Sequence, residues 1–183
     1  MSLPKPKMTA DAFLAWAMEQ PPGRRHELDA GEVVAMAPER AAHARVKHRV
    51  ARCLEDGIAG AGLPCEVFPD GMAVRIDDAT VYEPDALVRC GEPLADDAVD
   101  LDDPVIVVEV LSPSTRARDS GAKLEGYFKL KTLRHYLIVK TDTRAVIHHA
   151  REDGGRIRTS IVTGGELRLD PPGVEVGLEA IFT

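Results

Sequence analysis

One heptapeptide constrains this chain more than any other segment: Val105-Ile106-Val107-Val108-Glu109-Val110-Leu111. It is apolar at every position but one. A strand with one wet face alternates apolar and polar residues, whereas a strand covered on both faces reads as a nearly continuous apolar run. The segment is therefore expected to be the inner strand of a sheet. Its exception, Glu109, then needs an explanation. An ionised carboxylate in such a place is costly unless a basic partner, a proton or a metal ion compensates it.

The rest of the chain supplies what such a strand needs. Thr9 is a plausible N-cap for a short helix through Phe13, Trp16 and Ala17, stopped by Pro21-Pro22-Gly23. His26-Glu27-Leu28, the turn Asp29-Ala30-Gly31 and Glu32 to Met36 read as a hairpin. Val46, Val50, Leu54 and Ile58 recur every four residues and make a helical stripe, with Pro38 suited to its first turn and Gly60-Ala61-Gly62 closing it. Met72, Val74 and Ile76 alternate as a half-buried strand, and Asp85 to Val88 follows Pro84 as another. The acidic stretch from Glu92 to Asp103 is expected to be a solvated loop. A helix from Thr115 to Leu130 and strands at Tyr136–Val139 and Ala145–His149 come after the apolar run, then short strands with turns at Gly164-Gly165 and Pro171-Pro172-Gly173. The pattern predicts an α/β (α+β) fold with a mixed sheet and a few helices.

With 183 residues, 44% of them hydrophobic, the chain can build one sizeable core. We expect one domain over 1–183, with the polar, Pro/Lys-rich residues 1–8 as a flexible tail. No apolar run approaches the roughly 20 residues of a membrane span. The start lacks the apolar stretch of a secretory signal, so a cytoplasmic protein is expected. Cys53, Cys65 and Cys90 are an odd count without a C-x-x-C pair, and read as small buried residues of a reduced protein.

Charge is unevenly spread. Acids outnumber bases 30 to 23, yet Ser112 to Arg151 holds nine Lys/Arg against three acids. A local basic stripe can meet phosphates whatever the net charge.

Two further residues join Glu109 as candidates. Asp85 opens a neighbouring short strand, and two close carboxylates repel unless a cation lies between them. Oxygen ligands of this kind suit Mg2+, which keeps much of its water and needs few protein ligands. On the helix that follows, Asp119, Lys123 and Tyr127 are spaced i, i+4, i+8 and share one face, so Lys123 can point back at Glu109. Read singly, each has a plainer account: a structural Glu109–Lys123 ion pair, a turn cap at Asp85, a solvated helix pair at Asp119 and Lys123. Their joint occurrence favours a site. His43 and His48 are five apart and lack the spacing of helical zinc ligands. His148 and His149 are adjacent on a strand and point to opposite faces.

Pro84-Asp85, Glu109-Val110-Leu111 and a lysine on the next helix resemble the PD-(D/E)XK nuclease superfamily. The arrangement is most similar to its Uma2-like (DUF820) branch. Further parts that resemble the branch are His26-Glu27-Leu28-Asp29-Ala30-Gly31-Glu32, His43 at the start of a helix, and Glu109-Val110-Leu111-Ser112-Pro113-Ser114-Thr115 followed by Asp119, Lys123 and Tyr127. The likeness spans about residues 8 to 182. It implies a restriction-endonuclease-like core: a central mixed β-sheet flanked by helices, with additional β-hairpins. It implies a Mg2+- or Mn2+-dependent endonuclease hydrolysing phosphodiester bonds of DNA, with Asp85, Glu109 and the Val110 backbone carbonyl as metal ligands and Asp85, Glu109 and Lys123 as catalytic residues. The lysine usually found two residues after the glutamate is Leu111 here, and Lys123 takes its place from the helix. Glu27, His43, Asp119 and Tyr127 are outer candidates, and Arg116, Arg118, Lys129 and Lys131 candidate nucleic-acid contacts. The superfamily often dimerises to cut two strands, so a homodimer is expected. The competing reading is a non-catalytic nucleic-acid or protein-binding module that retains the fold. A third is a structural ion-pair core.

Overall fold

The apolar heptapeptide forms the strand Ile106–Leu111 and lies inside a six-stranded sheet, as its composition requires. The computed structural model describes residues 7–111 and 120–183. In chain order the elements are α1 (Ala10–Met18), β1 (His26–Asp29), β2 (Glu32–Ala35), α2 (Ala41–Ala61), β3 (Cys65–Phe68), β4 (Ala73–Asp77), β5 (Thr80–Tyr82), β6 (Ala86–Cys90), β7 (Asp100–Leu101), β8 (Ile106–Leu111), α3 (Ser120–Tyr127), β9 (His135–Lys140), β10 (Ala145–Arg151), β11 (Ile157–Val162), β12 (Glu166–Leu169), β13 (Val174–Gly177) and α4 (Leu178–Phe182).

The six-stranded sheet has the order β11-β10-β9-β8-β6-β3. It is mixed: β8 and β9 run parallel, and the other neighbours are antiparallel. Parallel neighbours need a long crossover, and α3 lies in it. A second sheet, β2-β1-β5-β4-β7, is antiparallel except for β4 with β7. β12 and β13 form a separate hairpin.

Alternation along β8 sorts its neighbours. Ile106, Val108 and Val110 face the apolar stripe of α2, together with Leu137, Val139 and the β12–β13 hairpin. Val107 faces the other way, into a cluster with Leu87, Tyr136, Ile138, Val74 and Tyr127. Glu109 has the parity of Val107, so it emerges on the side covered by α3. Close approach of α3 depends on Gly126, where an added Cβ would stand 2.8 Å from the Tyr82 ring.

Local chemistry explains the boundaries. The Thr9 hydroxyl accepts the Ala12 N–H and caps α1. Ala30 and Gly31 both have positive φ, as a two-residue hairpin turn between β1 and β2 requires. Gly62, in the left-handed region, ends α2. Met8 N–H donates to the Gly31 carbonyl at 2.9 Å, while residues 1–6 of the expected tail lie outside the described residues.

Three expectations need correction. α2 begins at Ala41 rather than near Pro38, because Arg40 is still extended. The acidic stretch is not all solvated loop: β7 pairs with β4, Leu101 is buried, and Arg75 and Arg89 hold Asp100 and Asp103 at 2.7 and 2.8 Å. The cysteines are not all reduced. Cys65 and Cys90 face each other across β3 and β6 and are joined by a disulfide, while Cys53 is free. Spacing in sequence carries no record of that register.

Candidate active site

Asp85, Glu109 and Lys123 line one cavity of about 220 Å3 at the C-terminal end of β8. Each is at least 92% buried, at 6, 8 and 8% exposure. The first lies just before β6, the second on β8 and the third on α3.

Lys123 is the hub of one half. Its ammonium donates to Glu109 Oε1 at 3.0 Å and to Glu27 Oε1 at 2.8 Å. Glu27 comes from β1 and also accepts the Glu83 N–H at 2.9 Å. Tyr127, one turn beyond Lys123, donates its hydroxyl to Glu109 Oε1 at 2.8 Å. Burial opposes the lysine's charge, but the facing Glu109 and Glu27 outweigh it and hold the ammonium well above its ordinary range. Glu109 goes the other way from a usual carboxylate. Burial pushes its pKa up to about 7, with Asp85 and Glu27 adding to the rise and Lys123 resisting it. Burial and the Glu109 charge likewise push the Tyr127 phenol up.

Asp85 is the hub of the other half. Its Oδ2 accepts the Val110 N–H at 2.6 Å, which ties β6 to β8 at the cavity. Its Oδ1 lies 3.1 Å from Lys47 Nζ. Burial would raise its pKa, but His43, Lys47 and the Val110 N–H bring it below the ordinary value. His43 Nε2 stands 3.3 Å from Asp85 Oδ2, an ion pair when the imidazole is protonated. Asp85 raises the imidazole's pKa against burial, helped by Glu39 and the Val110 backbone.

Lys47 is the residue that sequence reasoning missed. It is 5% exposed and contacts Glu39, Asp70 (2.7 Å) and Asp85 at once. Carboxylate oxygens of those three acids lie within 4.8 Å of one another. Burial opposes the charge of Lys47, but Asp85, Asp70 and Glu39 raise its pKa. Arg25 adds a second cation, touching Glu39, Asp70 and Glu83. A signal was present: His43 and Lys47 are spaced i, i+4 on α2, and Lys47 lies next to Val46 at the edge of the apolar stripe.

The donor set fits a hard divalent cation. Asp85 and Glu109 offer carboxylate oxygens beside the Val110 backbone, and the apolar segment Val34–Pro38, the end of β2 and the residues after it, closes one wall. Among the outer candidates, Glu27, His43 and Tyr127 reach this network. Asp119, Arg116 and Arg118 lie outside the described residues. Lys129 is half-exposed and pairs with Asp77 at 2.9 Å, and Lys131 is exposed. His148 and His149 point to opposite faces: His148 contacts His135, and His149 contacts Thr159 and stacks on Tyr136.

Comparison with known proteins bears on this geometry. A Synechocystis protein, slr1290, described as "Uncharacterized protein", is 27% identical over 99% of this chain and 94% of its own. A crystal structure from Anabaena variabilis, described as "a putative nuclease belonging to DUF820", superposes with a TM-score of 0.73 at 15% identity, over 96% of this chain and 97% of that one. That likeness establishes the fold. The family model of Uma2, described as "Putative restriction endonuclease", matches residues 10–182. The match takes in every residue of the cavity, and the chain belongs to the Uma2 family.

Proposed function

We propose that this chain is a divalent-metal-dependent endonuclease that hydrolyses phosphodiester bonds of DNA. The observation that carries the reading is the burial of Asp85, Glu109 and Lys123 around one cavity. Asp85, Glu109 and the Val110 carbonyl would hold Mg2+ or Mn2+. When bound, such an ion lowers the pKa of a coordinated water and neutralises charge on a phosphoryl oxygen.

The chain's own groups do the rest. Lys123 places a compact positive charge beside Glu109, where it stabilises negative charge developing on a phosphate. Glu27 and Tyr127 fix that lysine and that carboxylate in place. The Val110 N–H aims Asp85 into the cavity. His43, beside Asp85, is placed to accept or deliver a proton at the cavity rim. Two protomers acting as a homodimer would cut two strands, which light scattering tests by mass.

One observation favours a second reading, a nucleic-acid or protein-binding module. Lys123 is already neutralised by two carboxylates, and Leu111 stands where the superfamily usually has its lysine. Supercoiled plasmid, single-stranded DNA and RNA incubated with Mg2+ or Mn2+ decide between the two. Nicking that wild type performs and Glu109→Gln lacks supports the enzyme. Retained binding without cleavage in either metal supports the module.

A further inference from the structure

At the other end of the central sheet the surface changes sign. A groove of about 640 Å3 carries five arginines, Arg134, Arg151, Arg156, Arg158 and Arg168. Three acids share it, and two of them are taken: Glu152 pairs with Arg158 at 2.8 Å and Asp170 with Arg168 at 3.6 Å. The groove is therefore net positive in a chain of formal charge −7. Arg151 is held rigidly by neutral groups. It donates to the carbonyls of Leu133, Phe128 and Leu130 at 2.7–2.9 Å, so its charge is not cancelled. Arg134 and Arg156 have no carboxylate partner among the described residues.

The floor is two buried histidines. His135 Nδ1 contacts His148 Nε2 at 2.8 Å, and His135 Nε2 contacts the Pro171 carbonyl at 2.9 Å. Burial lowers both pKa values, His148 to about 4, and the surrounding arginines lower them further. The floor thus stays neutral beside a positive rim. Guanidinium forks match phosphate oxygens two at a time, and several forks along an open groove suit a polymeric anion better than a single small one.

The groove also has a fixed relation to the candidate active site. Ile106 is opposite His135, and Glu109 is opposite Ile138, three residues further along the same parallel pair. The two are about 10 Å apart along the strands and open on opposite faces of the sheet, since His135 shares the parity of Ile106 and Glu109 that of Val107. Phe128 and Leu130, whose carbonyls Arg151 grips, directly follow the helix that delivers Lys123.

We propose that this groove binds the phosphodiester backbone of a nucleic acid, outside the segment that enters the candidate active site. The proposal rests on the nucleic-acid substrate of the proposed function. The test uses the full chain with chelator present, so that nothing is cut, and a fluorescent 20-base-pair DNA duplex read by anisotropy across a salt series. The double variant Arg134→Glu/Arg156→Glu is compared with Arg45→Glu/Arg52→Glu, an equal charge change on the exposed face of α2. Thermal melts establish that each variant is folded. The groove variant should bind at least tenfold more weakly, with a flatter dependence on salt, and the control should stay within threefold of wild type. Binding by the groove variant within threefold of wild type overturns the proposal, as does equal weakening in the control. If wild type cleaves DNA and only the groove comparison fails, the nuclease reading stands. If wild type neither binds nor cleaves DNA or RNA, both fall together.

Discussion

Lys123 and Glu109 meet at 3.0 Å inside the core, and the lysine shares its charge with a second carboxylate, Glu27, at 2.8 Å. The two acids compete for one ammonium, and Glu109 is the one whose pKa is pushed up to about 7. The carboxylates of the site outnumber its own cations, Lys123 facing Glu27 and Glu109 on one side and Lys47 facing Glu39, Asp70 and Asp85 on the other. The consequences can be measured.

Glu109→Gln removes one of two partners of Lys123, so Glu27 still compensates the ammonium. In chelator the variant should melt close to wild type, because the raised pKa of Glu109 means that the fold disfavours its charge, and should not show the roughly 3–5 kcal/mol loss of a stranded buried charge. Millimolar Mg2+ or Mn2+ should raise the melting temperature of wild type, because a ligand bound only by the folded state stabilises it, and should do little for the variant. Equal shifts in both proteins would remove Glu109 from the metal seat.

Lys123→Ala leaves two acids and no cation between them. It should cost roughly 3–5 kcal/mol and lower cleavage by about 100-fold or more, with a much smaller change in metal affinity. Lys123→Arg should rescue poorly, since a planar fork does not fit the seat of a compact ammonium. Cleavage rates at saturating metal, measured below the melting range of each variant, check this.

Lys47→Met should behave differently. It leaves the oxygens of Glu39, Asp70 and Asp85 within 4.8 Å of one another with only Arg25 on the first two and His43 beside the third, so the metal-free protein loses stability. Divalent metal should then raise its melting temperature more than it raises that of wild type, because a cation relieves the repulsion that Lys47 had relieved. A smaller shift than in wild type would mean that metal does not reach those three acids.

The histidine pair sets a pH dependence away from the site. The folded pKa of His148 is lowered from 6.5 to about 4, by burial first and then by His135 and Arg158. Between those values the unfolded chain binds the proton and the folded chain does not. Stability from this group is therefore complete above about pH 6.5 and is lost as pH falls towards 4, by at most about 3 kcal/mol. His148→Gln offers an amide nitrogen to His135 and does not titrate. Its denaturation midpoints should show a shallower fall between pH 6.5 and 4 than those of wild type.

Gly126→Ala tests how α3 is seated. The new Cβ would stand 2.8 Å from the Tyr82 ring, so helix or ring must shift. A loss of about 1–3 kcal/mol is expected, with reduced cleavage because Lys123 rides on the same helix.

What could be read in the sequence was local and periodic. The apolar run fixed β8 as an inner strand, four-residue recurrence marked the stripe of α2, and the i, i+4 spacing put Lys123 and Tyr127 on one face of α3. Glu109 stood out because a charge inside such a run demands compensation. The identity of the compensating groups was a matter of tertiary structure. Glu27 reaches Lys123 from 96 residues away, and Asp85 reaches the Val110 N–H from 25. Asp70 reads as a turn residue until α2 crosses it and brings Lys47 to 2.7 Å. The acidic segment looked solvated because nothing in its own residues announces that β4 will pair with Asp100–Leu101. Cys65 and Cys90 likewise became partners only through the register of β3 on β6. Side-chain periodicity follows from the geometry of a single helix or strand and is written in neighbouring residues. Sheet order, register and helix crossing are settled by which distant faces exclude water together, and they decided which buried charges meet.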